Sequence, residues 1–255
     1  YQTAAAVARE CRVVITSLPT PPIVQEVVLG PTGLKQGWQE GDIYIDMTTN
    51  AVSTVRLIAD EAVKLGVGVL DAPVSGGTRG AEAGTLTIIV GGDAAVLEKA
   101  RPVLEPMAGK IFHVGDVGCG NVAKLVNNMI GLICNSACAE GMVLGAAAGI
   151  DPQVLYDLMI VSTADNWSLR QYARTVFNRD FEPGFKISLA HKDMGLALGL
   201  GEDYGVPLPV AQAAKDGLAA AMAAGLGDKG VDGVILPLEE TVGVIVKPGG
   251  QIPTG

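Results

Sequence analysis

The sequence has few aromatic residues: Phe, Trp and Tyr make up 4% of its 255 residues. This scarcity excludes a core built on large aromatic rings. Apolar residues nevertheless reach 49%, and there are 34 glycines, so the core must consist of Ala, Val, Leu and Ile with close backbone approaches. The composition is typical of α/β sheets and packed helices, and the length favours two domains over one.

Cysteine is also scarce. The four cysteines, Cys11, Cys119, Cys134 and Cys138, lack the paired spacing of a secreted disulfide framework, which predicts reduced thiols and a cytoplasmic protein. Cys134 and Cys138 share one helix face, but no histidine or third cysteine stands beside them in the sequence. We therefore expect no metal site.

Positive charge is in short supply. The net charge is −9 and no run of like charge occurs, which argues against nucleic acid or an anionic membrane as a partner. An anionic ligand must then be held by local donors. The most apolar run, residues 129–150, is interrupted by Asn135 and Glu140, which predicts a buried helix rather than a membrane span. No signal peptide opens the chain.

Up to residue 115, short β-branched runs alternate with helical segments. The predicted strands are residues 13–17, 43–47, 68–72, 85–90 and 111–114, and the predicted helices between them are residues 52–65 and 94–107. This alternation predicts an α/β Rossmann-type, mostly parallel sheet covered on both faces. Residues 1–19 read as the end of a helix followed by a strand, with no start to the domain.

From residue 116 onward the pattern is helical, which predicts an all-α domain over residues 116–255. It begins with a long interdomain helix over residues 121–149, and Asp151 is placed to cap the next helix with Pro152 at its first position. Further helices are predicted at residues 154–159, 169–176, 187–204, 209–225 and 231–244.

Residues 114–130, VGDVGCGNVAKLVNNMI, contain a dinucleotide-type glycine spacing at Gly118, Gly120 and Ala123. Glu140 follows at the distance of the acidic residue that binds a ribose. That unit requires a second strand before the acidic residue, whereas here the helical period continues past Glu140. We therefore interpret the match as a decoy.

The same stretch contains GxxxKxxxN, formed by Gly120, Lys124 and Asn128. Steps of four place all three on one helix face. A lysine and an amide can then share one ligand oxygen, and Gly120 is expected to leave room for the ligand. The alternative is a surface lysine lying over an apolar helix.

A second glycine-rich stretch, DAPVSGGTRGAEAGTLTIIVGG, runs from the end of a strand into Ser75, Gly76 and Gly77. Consecutive glycines let several backbone N–H groups point into one concavity, which suits a carboxylate. Ser75 adds a hydroxyl donor. A phosphate suits the same concavity. The alternative is a tight turn that binds no ligand.

Five ordered motifs carry a resemblance that covers nearly the whole chain: SLP at residues 17–19, DMTT at 46–49, DAPVSGG at 71–77, GxxxKxxxN at 120–128 and HKDMGLAL at 191–198. In order and approximate spacing the sequence resembles the β-hydroxyacid dehydrogenases. The resemblance implies that residues 1–115 are the remainder of a dinucleotide-binding Rossmann domain and that the helical domain of residues 116–255 serves substrate binding and oligomerisation. It also implies an active site in the cleft between the two domains. It also implies hydride transfer between NAD or NADP and a small 3-hydroxy acid, such as 2-(hydroxymethyl)glutarate or 3-hydroxyisobutyrate.

The resemblance also implies roles for individual residues. Lys124 is the catalytic general acid/base, and Asn128 orients the substrate. Other roles are carboxylate binding by Ser75, Gly76 and Gly77, contact with the cofactor by Leu18, Pro19 and Thr49, and a reach into the nicotinamide and substrate region by Lys192. Phe185 is either a wall of the substrate pocket or a core residue.

The chain departs from the family at its start. The glycine fingerprint of the family would lie upstream of Tyr1, so the sequence reads as N-terminally truncated, and the residue that separates NAD from NADP is missing with it. Two alternatives stay open: a 6-phosphogluconate-type dehydrogenase, and a non-enzymatic nucleotide-binding module on the same fold. The first would need a basic cluster for the phosphate, and the candidates Arg170, Arg174 and Arg179 read as a solvated helix face.

Other titratable residues are expected to be structural. His113 lies in the last predicted strand, and His191 adjoins Lys192 on a different helix face. Asp71 and Asp193 are expected to form caps, loop hydrogen bonds or ion pairs. A homodimer or homotetramer is expected from the resemblance and from the small-residue helices.

Overall fold

The computed structural model describes residues 1–249. They form two compact units, the first spanning Tyr1–Val126 and the second beginning at Asn127. The first unit contains a six-stranded sheet flanked by helices, and the second is helical. A Rossmann-type α/β sheet followed by a helical region is therefore confirmed.

The first unit is built around six strands. They are β1 (Val13–Thr16), β2 (Ile43–Asp46), β3 (Gly68–Asp71), β4 (Val74–Ser75), β5 (Leu86–Gly92) and β6 (Ala108–Gly115). The pairs β1/β2, β2/β3 and β5/β6 are parallel, as predicted. The pairs β3/β5 and β4/β5 are antiparallel. Residues 72–85, which contain β4 and a short helix, join β3 to β5, and β5 runs antiparallel to both β3 and β4.

Five helices belong to the first unit. They are α1 (Ala4–Glu10), α2 (Pro21–Leu29), α3 (Val52–Val63), α4 (Gly77–Glu82) and α5 (Ala94–Leu104). Thr3 caps α1, and Asp93 caps α5 by accepting from two backbone N–H groups. The helix α2 was not predicted, because its start, TPP, reads as a loop. Proline nevertheless suits the first helical turn, where its missing N–H costs nothing.

The sheet separates two apolar clusters. Along β2, Ile43 and Ile45 belong to one cluster while Tyr44 belongs to the other. Successive side chains of a strand point to opposite faces, so both faces of β2 are covered. All four residues of β2 are buried, which explains its continuous apolar reading.

The second unit consists of helices packed on one core. The long helix α6 (Cys119–Ala147) leads into it, and α7 (Pro152–Met159), α8 (Trp167–Gln171), α9 (Ile187–Asp203), α10 (Pro209–Ala223) and α11 (Leu236–Val242) follow. Asp151 caps α7 with Pro152 at its first position, as predicted. The core includes Met142, Tyr172 and Met194, each fully buried.

Two helical predictions differ from the structure. The helix predicted over residues 169–176 is the shorter α8, which begins earlier because Asn166 caps it, and turns follow up to Arg179, whose φ is +54°. The segment predicted as one helix over residues 231–244 is a 3₁₀ turn, Val231–Ile235, followed by α11. Proline at the start of α11 marks that division.

Candidate active site

The sheet register brings three of the predicted motifs to one edge. Thr16 of β1 pairs with Asp46 of β2, and Asp46 pairs with Asp71 of β3. Because the three strands are parallel, the segments after them leave the same carboxyl edge, where α/β sheets bind ligands. The SLP, DMTT and DAPVSGG motifs therefore start side by side.

A buried polar network ties the first two of these segments together. Asp46, which is 1% exposed, accepts from the Thr16 hydroxyl at 3.1 Å and from the Asn50 amide at 2.8 Å. The Leu18 N–H donates to the Thr48 hydroxyl at 2.9 Å. Burial raises the pKa of Asp46, and these hydrogen bonds act in the opposite direction. The loops after β1 and β2 are thus held as one unit.

The carboxylate of Asp71 receives the start of α6. Its Oδ1 accepts from the Gly118 N–H at 2.7 Å, and its Oδ2 accepts from the Asn121 N–H at 2.7 Å. A carboxylate at a helix N-terminus satisfies donors that have no partner within the helix. Asp71 is fully buried, and this burial raises its pKa from 3.8 to about 6 although the hydrogen bonds lower it.

Asn121 connects the two networks. Its Oδ1 accepts from the Asn50 N–H at 2.7 Å, while its own backbone and amide donate to Asp71. The chain Asp46, Asn50, Asn121, Asp71 therefore runs from the end of β2 through α6 to the end of β3. Every residue of this network is buried. A buried network whose hydrogen bonds are satisfied makes the structure rigid and favours one arrangement of the segments that it joins.

This geometry explains the glycine spacing at residues 118–123. A Cβ on Gly120 would overlap the Asp71 carbonyl oxygen and lie 2.7 Å from the Ile89 carbonyl oxygen. The expectation that Gly120 leaves room for a ligand is therefore wrong, because the space is filled by the ends of β3 and β5. The helix N–H groups at Gly118 and Asn121 bind an internal carboxylate instead of a pyrophosphate.

Lys124 lies one helical turn beyond Gly120 on α6. It is 8% exposed, whereas lysines are almost never fully buried unless they are paired. The alternative of an exposed lysine over an apolar helix is therefore excluded. Lys124 follows Asn121 by three residues on the same helix, so the Asp71 network also fixes the backbone from which its ammonium projects.

The predicted carboxylate site adopts the backbone conformation that only glycine takes readily. Ser75 ends β4, and Gly76 and Gly77 have φ values of +131° and +60°. Ser75 is half-buried and both glycines are exposed. The stretch begins four residues after Asp71, which binds the start of α6.

The three predicted cofactor residues of the first unit lie in the loops after β1 and β2. Pro19 is exposed, while Leu18 and Thr49 are half-buried. Leu18 also packs against the core cluster that contains Tyr44. These residues thus stand at the carboxyl edge of parallel strands, which is the position that fits a nicotinamide dinucleotide.

Within the second unit, two further predicted residues, Asn128 and Lys192, contact the same carboxylate. Asn128 Nδ2 lies 2.7 Å from Asp193 Oδ2, and Lys192 Nζ lies 3.0 Å from Asp193 Oδ1. Asp193 is thus an ion-pair residue, as expected. Phe185 packs against the core of this unit, in line with the core alternative.

Family models match both parts of the chain. Residues 1–115 match the NAD binding domain of 6-phosphogluconate dehydrogenase. Residues 118–238 match the model described as NAD-binding of NADP-dependent 3-hydroxyisobutyrate dehydrogenase. Among curated proteins, 2-(hydroxymethyl)glutarate dehydrogenase of Eubacterium barkeri is 40% identical over 96% of this chain and 81% of its own length. The chain belongs to the β-hydroxyacid dehydrogenase family.

Other relatives agree. The 3-hydroxyisobutyrate dehydrogenase of Pseudomonas aeruginosa is 40% identical over 80% of this chain and 71% of its own length. The solved 3-hydroxyisobutyrate dehydrogenase of Mycobacterium tuberculosis, determined with L-serine, is 37% identical with a TM-score of 0.83. It matches 93% of this chain and 83% of its own chain. This β-hydroxyacid dehydrogenase is thus an oxidoreductase that uses a nicotinamide dinucleotide on a hydroxy acid, and the non-enzymatic alternative is wrong.

Three of the remaining titratable candidates have structural partners. His113 Nε2 lies 2.7 Å from the Gly92 carbonyl oxygen. Arg170 forms a two-pronged pair with Asp165, and Arg179 forms another with Glu239. Arg179 is therefore not part of a solvated helix face. Within residues 1–249, no group of three or more His, Cys, Asp or Glu side chains could hold a metal ion.

One helix of the described chain, α6, is long and apolar enough to cross a membrane by length and composition. Of its most apolar window, 44% is buried. Core helices of globular proteins pass the same test, so this finding carries little weight. The predicted absence of a membrane partner stays a prediction.

Sequence reasoning missed the network of Asp46, Asn50 and Asn121. A usable signal was present: Asp46 and Asp71 both end apolar strands, and an asparagine follows the first of them by four residues. Carboxylates at the ends of neighbouring parallel strands meet at one edge and need donors there.

Proposed function

We propose that this dehydrogenase interconverts a small 3-hydroxy acid and its semialdehyde, with Lys124 as the general acid/base. The observation that supports this most directly is the burial of the lysine on a helix whose start is fixed by Asp71 and Asn121. An ammonium held in this way is preorganised for a charge that develops during reaction.

In the direction of reduction, a hydride reaches the aldehyde carbon and negative charge gathers on the aldehyde oxygen. The Lys124 ammonium stabilises that oxygen and donates a proton from Nζ. In the direction of oxidation, the neutral amine accepts the hydroxyl proton while hydride leaves the carbon. Proton transfer of this kind contributes about 10² to 10⁴ in rate.

The substrate carboxylate is assigned to Ser75, Gly76 and Gly77. Gly76 and Gly77 both have positive φ values, and consecutive glycines leave the backbone free to turn its N–H groups into one concavity. The protein carries net negative charge, so directed N–H and hydroxyl donors have to supply the attraction. Asn128 is assigned to orient the substrate, and Lys192 is assigned to the nicotinamide and substrate region.

NAD or NADP, when bound, supplies the hydride acceptor and donor. Leu18, Pro19 and Thr49 are the residues of the described chain assigned to hold its nicotinamide end. This assignment is supported by the position of the three residues after the carboxyl ends of β1 and β2.

The relatives suggest the substrate class. One is named for 2-(hydroxymethyl)glutarate, which has two carboxylates, and the other for 3-hydroxyisobutyrate, which has one. We propose a 3-hydroxy acid of this size as the substrate, with the dicarboxylate preferred. The reason is that the sequence SGGTRGAEAGTLTIIVGG at residues 75–92 resembles the 2-(hydroxymethyl)glutarate enzyme more than the 3-hydroxyisobutyrate enzyme. A phosphorylated sugar acid has less support, since Arg170 and Arg179 are already paired with carboxylates.

A comparison of substrates tests this assignment. The full-length protein is mixed with NADH or NADPH and matched semialdehydes bearing one or two carboxylates, and cofactor oxidation is followed by ultraviolet absorbance. We expect turnover with 3-oxo acids and a higher kcat/KM for the dicarboxylate. Turnover confined to 6-phosphogluconate with NAD⁺ or NADP⁺, seen as cofactor reduction in a parallel assay, would support the related decarboxylating reaction instead.

The proposal includes four further expectations for this protein. They are a cytoplasmic location, a homodimer or homotetramer, the absence of nucleic-acid and membrane partners, and a domain division at residue 115. The small residues along α6 support the second of these, although Gly145 itself packs against Leu155 within its own unit.

A further inference from the structure

A buried carboxylate stands behind two of the assigned site residues. Asp193, on α9, is 3% exposed. One of its oxygens accepts from the Asn128 side-chain amide at 2.7 Å, and the other lies 3.0 Å from the Lys192 ammonium. All three residues belong to the second unit. The contact with Asn128 crosses 65 positions of sequence, so the fold, not local sequence, creates it.

The charges of this cluster require each other. A buried carboxylate is costly unless it is paired and hydrogen-bonded. Asp193 Oδ1 has no hydrogen bond of good geometry, so the ammonium of Lys192 is its electrostatic partner on that side. Lys192 is only partly exposed, at 19% of its side chain. The ion pair with Asp193 therefore contributes to the position of the Lys192 ammonium.

The same carboxylate decides which way the Asn128 amide faces. An ionised carboxylate accepts hydrogen bonds and donates none. Only the NH₂ end of Asn128 can therefore face Asp193, and the amide oxygen must point elsewhere. That oxygen accepts from the neighbouring Asn127 amide at 3.2 Å. The Asp193 carboxylate and the Asn127 amide therefore favour the same orientation of the Asn128 amide.

We propose that Asp193 is a positioning residue, which orients the Asn128 amide and holds the Lys192 ammonium for substrate binding. The inference rests on the proposed function, because it takes Asn128 and Lys192 as substrate-region residues. It assigns Asp193 no contact with substrate or cofactor. Its effect on turnover passes through the other two side chains.

The test uses Asp193→Ala, Asn128→Ala and the double variant in the full-length protein. Asp193→Ala is expected to lower kcat/KM by about 10- to 100-fold, the equivalent of one hydrogen bond to a charged group. In the Asn128→Ala background the same change should cost clearly less, because its effect on Asn128 is already gone. Asp203→Asn, an exposed change on the same helix, should leave kcat/KM unaltered.

A second variant covers the case in which Asp193→Ala does not fold. Asp193→Asn keeps the size and one acceptor for Asn128 but removes the charge that attracts Lys192. We expect it to raise KM for the carboxylate substrate more than it lowers kcat. A purely structural role would lower the melting temperature and the active fraction, leaving KM unchanged.

Three outcomes decide the matter. Additive effects in the Asp193/Asn128 cycle, or an unchanged KM in Asp193→Asn, overturn the inference while the proposed function stands. A wild-type protein without turnover on any 3-oxo acid overturns both. Non-additive effects with a KM shift support the inference.

Discussion

Asp71 offers a quantitative test of the network that fixes the start of α6. Burial raises its pKa from 3.8 to about 6, so the folded state binds a proton that the unfolded state releases between these values. Stability from this group is therefore fully present below about pH 4 and is lost as pH rises through about 6. Two pKa units correspond to about 3 kcal/mol.

The perturbation is Asp71→Asn, which resembles the protonated carboxyl in size and cannot ionise. The free energy of unfolding of the variant minus that of the parent should increase by about 2 kcal/mol between pH 4 and pH 6.5, because part of the titration lies outside this range. The constant offset between the two proteins, which includes lost acceptor capacity toward Gly118 and Asn121, cancels in this comparison. The other titrating groups cancel as well, because both proteins contain them.

The assay is urea unfolding followed by tryptophan fluorescence in a Trp167→Phe background. Trp167 is 73% exposed, whereas Trp38 packs against a core cluster of the first unit, so the remaining signal reports the unit that contains Asp71. Asp60→Asn, an exposed change on α3, is the matched control and should show no pH-dependent difference. A flat or falling difference for Asp71→Asn would refute the reasoning, since it would mean that the hydrogen bonds outweigh burial.

Two other substitutions test the packing around the same elements. Gly120→Ala should lower the free energy of unfolding by about 1–3 kcal/mol, because its Cβ meets two carbonyl oxygens. Gly131→Ala, on the same helix with nothing within 4 Å of its Cβ, should raise it by about 0.5–1 kcal/mol, and equal effects in urea unfolding would contradict the packing account. Asp93→Ala should cost about 1 kcal/mol through the lost cap of α5, whereas Asp93→Asn should restore most of it.

Much of the fold was predictable because its elements have strong local signals. The strands β1, β2 and β3 are short, β-branched and buried, and each begins at the predicted residue. The helices α3, α5 and α9 also begin where predicted. The helix α2 and the shortened α8 were not predicted correctly, because proline and asparagine act there as helix-start residues in segments that read as loops or as longer helices.

The site was predictable in part. The order of the motifs pointed to Lys124, Ser75 and Asn128. The parallel register of β1, β2 and β3 explains why the loops after β1 and β2 lie side by side. The contacts of Asp71 with Gly118 and Asn121, and of Asp193 with Asn128, could not be read from spacing, because the residues in each contact lie 47 or more positions apart in sequence. The fold alone creates those contacts.

The most direct test of the central claim is the turnover of Lys124→Met with NADH or NADPH and a 3-oxo acid. We predict a loss of about 10² to 10⁴ in kcat, with cofactor binding retained as judged by nicotinamide fluorescence. Lys99→Met, at an exposed position of α5, serves as the control for losing a lysine. A Lys124→Met protein that turned over like the control would contradict the account.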